Sequence, residues 1–425
     1  MPFRKVLSLF VLLVLLATAT FAQENLLIFT DPAVDAPALA YRGEYGVGVQ
    51  TLEVVNEGVV DVLGAVSDPS ATTDRALSLE IFYPGIIPDG TEQLTQYTDS
   101  NVVEGFQFWA RALREADPDL SGGPYPLLVV SHGLGGNSLQ LSYLGDHLAS
   151  KGYVVVMIDH ADGAVGLASV QTATTYRPMD ILFVMDQIDA MNSEADSFLS
   201  GMVDVNNTGL IGYSYGGYGT LIVSGAGISE AFATNPLLSP GGAALPYQEG
   251  SIEADPRVKA LFMFAPFGND LRALGFAGAS YWTPEALASV TVPTFIMVGS
   301  DDDVAQYATG VLPTYEALTG ADRHLLTLLN ARHNVAPNPS PPTDDMDTYL
   351  RYGEPVWRSE RMNNIAQHFV TAFMGIHLKA QEDYTQYLDL IEVASEGSTD
   401  AGTHWAGFPN RSAIGMTYRF TPAGS

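Results

Sequence analysis

Apolar residues along the chain gather into short unbroken runs separated by longer helical patterns. From about residue 75 the runs are Leu77 to Tyr83, Pro126 to Ser131, Tyr153 to Asp159, Thr208 to Tyr213, Lys259 to Phe264, Thr294 to Val298 and Leu325 to Leu329. A β-branched run with no polar alternation predicts a strand covered on both faces. Helices are predicted near Ser138 to Lys151, Pro178 to Met191, Tyr215 to Ser224, Pro284 to Ser289, Val304 to Leu318 and Glu360 to Leu378. This alternation predicts an α/β fold with a mostly parallel central sheet flanked by helices.

The remaining segments read differently. Residues 23–70 predict an entry segment with one or two antiparallel edge strands. Residues 227–256, rich in Gly, Pro, Ala and Ser, predict a loop-rich insertion of the length that serves as a lid or binding loop. Residues 381–425 form a C-terminal extension whose structure the pattern does not define. At the other end, Arg4 and Lys5 precede the apolar run Val6 to Leu16 and the small-residue stretch Ala17 to Ala22. That order is the one of a secretory signal peptide, residues 1–22, with cleavage after Ala22. The run falls short of the roughly 20 residues that span a bilayer, so it predicts a secreted or periplasmic protein without stable membrane insertion.

Composition narrows the chemistry. Among 425 residues there is no Cys, which excludes disulfides, thiolate metal sites and a cysteine nucleophile. Against 48 Asp and Glu stand 19 Lys and Arg, a formal net charge of −29, so nucleic acid and anionic membranes are repelled.

Candidate chemistry sits where predicted strands end. Gly212-Tyr213-Ser214-Tyr215-Gly216-Gly217 follows one apolar run and opens a helix rich in small residues, which is G-x-S-x-G in its strand-turn-helix setting. So tight a turn lifts the Ser214 hydroxyl above the sheet at a helix N-terminus, where developing negative charge is favoured. An earlier strand runs into Ser131-His132-Gly133-Leu134-Gly135-Gly136, with no phosphate-loop pattern. Its glycines let backbone N–H groups face the site, so Leu134 and Tyr215 N–H are the candidate oxyanion hole, and His132 is a structural residue of the turn. Serine needs a base, and the base a carboxylate to orient it. Two late strands end in suitable turns, Gly299-Ser300-Asp301-Asp302-Asp303 and Asn330-Ala331-Arg332-His333. His333 is the candidate base and Asp302 the acid, with Asp301 and Asp303 as alternatives that cap the next helix. A calcium site joining this cluster to Asp344, Asp345 and Asp347 is a second role for the spare carboxylates.

With Arg75 to Pro84, the Ser131 to Gly136 turn, Tyr176-Arg177-Pro178-Met179-Asp180 and the elbow at Ser214, the chain resembles the α/β-hydrolase superfamily. Within it the likeness is to predicted dienelactone hydrolases and type II platelet-activating-factor acetylhydrolase-like serine esterases. The resemblance implies an α/β-hydrolase fold with a catalytic domain over 71–380, a Ser-His-Asp triad and no cofactor. Neither namesake's substrate carries over; an exported esterase with no extended hydrophobic lid segment suits a small-molecule or polymeric ester of short-chain, aryl or polyester type better than a long-chain triglyceride. Two departures stand out: dienelactone hydrolases proper use cysteine, and the acetylhydrolases carry their acid after the strand that here ends Phe264-Ala265-Pro266-Phe267. The elbow is also similar to that of prolyl-oligopeptidase-type peptidases, whose large N-terminal propeller this chain has no room for. A non-catalytic binding protein on the same fold is the remaining alternative. Tyr213, Tyr215, Tyr218, Trp282, Tyr349 and Trp357 are candidate cleft aromatics, with 227–256 or 336–342 as the rim.

Overall fold

Seven apolar runs lie side by side because each can hide both faces only between helices. A computed structural model describes residues 27–101, 103–341 and 343–425. The predicted signal peptide and its cleavage site lie outside these residues. Strands β1 (Val47–Val60) and β2 (Thr72–Ile86) lead to a hairpin of β3 (Thr95–Asp99) and β4 (Phe106–Ala110), then to the short β5 (Leu113–Arg114) and β6 (Asp117–Pro118). Next come β7 (Tyr125–Ser131), α1 (Ser142–Ser150), β8 (Val154–Asp159), α2 (Leu167–Ser193), β9 (Val203–Tyr213), α3 (Tyr215–Val223) and the one-turn α4 (Glu230–Ala233). The chain continues through β10 (Val258–Phe264), α5 (Pro284–Ala288), β11 (Thr294–Gly299), α6 (Leu312–Ala317), β12 (Arg323–Leu328), α7 (Met346–Tyr352), α8 (Ser359–Lys379) and β13 (Met416–Thr421).

The main sheet has the order β13-β12-β11-β10-β9-β7-β8-β2-β1-β5, with β6 beside β2. Strands β7 to β12 pair in parallel, whereas β2 joins β8, β1 joins β2 and β13 joins β12 antiparallel. Neighbouring residues of one strand face opposite layers: the Phe262 ring lies 6.1 Å from that of Phe373 on α8, and Met263 reaches toward Gly217 on α3. From β7 the chain goes outward to β8, then crosses back to β9 on the other side of β7. This reversal opens a crevice at the carboxyl ends of β7 and β9, the usual ligand position in such sheets. No described helix is long and apolar enough to cross a membrane.

Two helix expectations are corrected. Helix α2 begins at Leu167, so Pro178 lies inside it and not at its start. Between Val304 and Leu318 a π-helical turn, Tyr307–Val311, precedes α6 in place of one helix. The entry segment supplies β1, and the undefined C-terminal extension supplies β13, with Trp405, Phe408 and Tyr418 buried in the core. Residues 227–256 fold back on themselves through Ile228 and Gln248 and hold Gln171 through the Leu237 carbonyl at 2.8 Å.

Candidate active site

The turn at Ser214 is built by backbone contact too close for side chains. A Cβ on Gly216 would sit 2.0 Å from the Ser131 carbonyl oxygen, and one on Gly212 would sit 2.7 Å from Gly216. Glycine at both positions lets α3 rise from β9 directly against the end of β7. Ser214 is forced to φ 53° and ψ −114°, a strained region for a residue with a Cβ. Its own N–H donates to Phe264 O at 2.9 Å, and its carbonyl accepts from Gly217 and Phe267 at 2.9 and 3.0 Å. These bonds hold the turn in its strained form.

Three residues singled out from the sequence meet here. Ser214 Oγ lies 2.9 Å from His333 Nε2, and His333 Nδ1 lies 2.9 Å from Asp302 Oδ2. The other oxygen of Asp302 accepts the N–H groups of Val304 and Ala305 at 2.9 and 2.8 Å. Asp302 thus caps the next turn itself, where the sequence suggests Asp301 or Asp303 for that task. Burial pushes its carboxyl up, but the charge and hydrogen bond of His333, with the two N–H groups, outweigh this and hold it below the usual range. Asp303 pairs instead with Arg332, and Asp301 faces solvent beside Ser300. Asp345 caps α7 through Thr348 N–H at 2.8 Å, and among the described residues no metal-holding group of carboxylates and imidazoles is assembled, which removes the calcium reading.

The His333 turn is pinned from outside by a residue the sequence does not advertise. Glu354 accepts the N–H groups of Arg332 and Asn334 at 2.8 and 2.9 Å, on either side of the histidine. Tyr213 packs against the imidazole, ring centroids 5.3 Å apart, and donates to Asn334 Oδ1 at 3.1 Å.

Leu134 and Tyr215 both border the cleft around Ser214, and among the described residues neither backbone N–H has a hydrogen-bond partner. The turn that carries Leu134 is held from beneath by Arg177. This wholly buried guanidinium donates to the carbonyls of His132 and Gly133 and pairs with Asp162, whose carboxylate also accepts Gly135 N–H at 3.2 Å. With these carbonyls held by Arg177 and the N–H groups of Gly133, Gly135 and Gly136 bonded to Gln140, Asp162 and Gly133 O, the Leu134 N–H is the one of the turn's glycine-flanked donors left free at the cleft among the described residues. Burial would raise Asp162, yet Arg177 and the neighbouring histidines hold it down at about 2. His132 is structural as expected from sequence: Nδ1 donates to Gly133 O, Nε2 accepts from His160 N, and burial with Arg177 pushes it down to about 3.

A second Ser-His-Asp chain lies below the first. Ser131 Oγ is 2.8 Å from His160 Nε2, and His160 Nδ1 is 2.7 Å from Asp180. All three side chains are fully buried, Arg75 clamps Asp180, and Arg177 donates to Ser131. Distances alone therefore do not separate the two sets. Access does, because Ser214 and His333 line an open cleft of about 780 Å³ and none of Ser131, His160 and Asp180 lines it.

The cleft walls come from Phe106, Phe108, Leu134, Val165, Tyr213, Tyr215, Phe267, Leu274 and Pro337, with Asn101, Asn137, Gln140 and Tyr352 as polar points. Residues 337–340 are part of the rim, as expected, but none of 227–256 is. Of the six candidate aromatics, Tyr213 and Tyr215 line the cleft. Tyr218 and Trp282 pack behind them, Trp357 is buried elsewhere against Leu329 O, and Tyr349 is exposed outside the lining.

Comparison with known proteins agrees with this architecture. Residues 117–237 match the model of a PET hydrolase-like family. The chain is 27% identical to a bis(hydroxyethyl) terephthalate hydrolase from Streptomyces coelicolor over 226 residues, 52% of this chain and 54% of that protein. It is 24% identical to cutinase 1 from Thermobifida cellulosilytica over 218 residues, 50% of this chain and 62% of that one. The chain thus spans little more than half the length of these curated relatives. A ferulic acid esterase from Streptomyces cinnamoneus superposes with a TM-score of 0.56 at 19% identity, covering 84% of this chain and 94% of the other. With its parallel sheet, strained serine elbow and switch-point cleft, the chain has an α/β-hydrolase fold and is similar over part of its length to PET hydrolase-like proteins.

Proposed function

We propose that this protein is an exported carboxylic ester hydrolase that works through an acyl-enzyme on Ser214. The observation that carries the reading is the continuous chain Ser214 Oγ, His333, Asp302, with both links at 2.9 Å and its serine end in an open cleft beside two unpartnered N–H groups. Similarity to a terephthalate-ester hydrolase and a cutinase supports ester chemistry. The proposed catalytic residues and the cleft lining fall within residues 71–380.

His333 Nε2 takes the Ser214 proton as Oγ attacks the ester carbonyl. Asp302 holds Nδ1–H and so fixes the tautomer that leaves Nε2 free to accept. Charge developing on the carbonyl oxygen is met by the N–H groups of Leu134 and Tyr215, the latter at the first turn of α3. His333 then protonates the leaving alcohol, and water repeats the steps on the acyl-enzyme. Apolar and aromatic walls suit neutral short-chain, aryl or polyester-type esters, and the net charge of −29 disfavours polyanions. Export rests on the Met1 to Ala22 sequence.

A fluorophosphonate probe and a panel of p-nitrophenyl esters of rising chain length test the reading together. Wild-type protein should be labelled and active, and Ser214→Ala should be neither. Strong labelling of Ser214→Ala, or hydrolysis of peptide anilides in preference to esters, would overturn it.

A further inference from the structure

Asn101, in the turn between β3 and β4, touches both walls of the cleft. Its Nδ2 donates to Gly135 O at 2.9 Å, and its own carbonyl accepts the Tyr352 hydroxyl at 3.4 Å. Gly135 belongs to the turn after β7, whereas Tyr352 ends α7, on the side of His333. A second latch holds the same hairpin. Asn137 Nδ2 donates to Asp99 Oδ1 at 2.9 Å, and that oxygen also accepts Asn101 N–H at 3.0 Å. Below the turn, Phe106 and Phe108 face the cleft from a fully paired ladder, Thr95 to Asp99 against Phe106 to Ala110. The hairpin is therefore a strap secured to one wall by two bonds and to the other by one. Both the hairpin and α7 lie outside residues 117–237, the part that matches the PET hydrolase-like family.

Resting on the esterase reading, we propose that the cleft takes its substrate end-on: a small soluble ester or the terminal unit of a polyester chain, inserted beneath Asn101. A mid-chain segment leaves the reacting ester in two directions. Under a strap it reaches Ser214 only by threading its whole length or by breaking the latches. A chain end needs one opening, and a cleft of about 780 Å³ is the size of a pocket for a compact ligand. The hairpin is thus a specificity element that sets chain-end over mid-chain attack.

The test uses the full chain on an amorphous aromatic polyester film, with a soluble terephthalate diester in parallel. Released products and the molar mass of the residual polymer are followed together. The expected result is hydrolysis of the diester and release of terminal units from the film at constant molar mass. A falling molar mass with little product released is mid-chain scission and overturns the strap alone. In the double variant Asn101→Ala/Tyr352→Phe, film activity relative to diester activity should rise about two- to tenfold, as expected for two lost hydrogen bonds. An unchanged ratio in a variant that still cleaves the diester overturns the proposal. If wild-type protein cleaves neither substrate, the esterase reading fails and the strap's role falls with it.

Discussion

The hydroxyl of Tyr218 donates at 2.9 Å to the carbonyl of Thr174, the acceptor that Pro178, four residues on, has no N–H to reach. A proline in the middle of α2 is tolerated because α3, the helix that follows Ser214, supplies the missing donor. Tyr218→Phe should leave that buried carbonyl unpaired and lower stability by about 1–3 kcal/mol. Esterase activity at low temperature should hardly change, since Tyr218 does not border the cleft. Urea midpoints at equal slope measure the loss, and an unaltered midpoint would show that the bond contributes nothing.

Arg177 offers a sharper separation of positioning from chemistry. It touches no substrate position, yet it holds the carbonyls of His132 and Gly133, and its partner Asp162 holds Gly135 N–H. Arg177→Lys keeps the charge but loses the planar fork that reaches several acceptors at once. With the Leu134 N–H misplaced, kcat should drop by about 10²-fold while KM moves little, because the donor matters most in the transition state. Fluorophosphonate labelling should slow in parallel. A change confined to KM would place the role of Arg177 in binding.

Much of this arrangement was legible in the sequence, for a definite reason. Ser214, Asp302 and His333 each follow an apolar strand by a few residues, so local pattern and chain order locate them. The cleft walls were not legible, because Asn101, Tyr352 and Glu354 reach the site from hairpin and loop segments whose places are set by distant packing. The start of α2 was missed for a similar reason. Proline normally marks a helix boundary, and the compensating Tyr218 stands 44 positions from Thr174 in the sequence. The role of Asp302 as its own cap was also hidden, since three consecutive aspartates look alike until one of them turns inward.

Asp302→Asn tests orientation on the proposed reading. The amide keeps an acceptor for Val304 and Ala305 N–H, so the turn should fold as before. Its NH₂ group presents a donor to His333 Nδ1, which favours the tautomer with the proton on Nε2, the wrong one for accepting from Ser214. Activity should fall about 10⁴-fold, the loss known for this exchange in a serine protease triad, with little change in thermal stability. Activity within a few-fold of wild type would transfer the role to another carboxylate.

The buried histidines make the protein acid-labile. Burial is the main cause that pushes His132, His324 and His368 down to about 3. Between pH 6.5 and 3 the unfolded chain binds protons at these sites that the folded chain does not, so stability falls as pH drops through this window. Each contributes a slope of up to about 1.4 kcal/mol per pH unit. Asp180 acts in the opposite sense: burial raises it to about 6, so between pH 6 and 3.8 the folded state binds the proton first and gains stability on acidification. Burial raises Asp146, Asp159 and Glu354 as well, but it also lowers His147, His160 and His377, so the six histidines outweigh the four carboxyls and the urea midpoint should be lower at pH 4.5 than at pH 7. His324→Phe isolates one contributor. Its ring lies among Phe295, Phe373 and Phe420, and its partner Tyr418 keeps the Leu388 carbonyl as acceptor at 2.8 Å. The variant should fold, and the drop in midpoint between pH 7 and 4.5 should shrink. An identical drop in both proteins would show that His324 is not held neutral in the folded state.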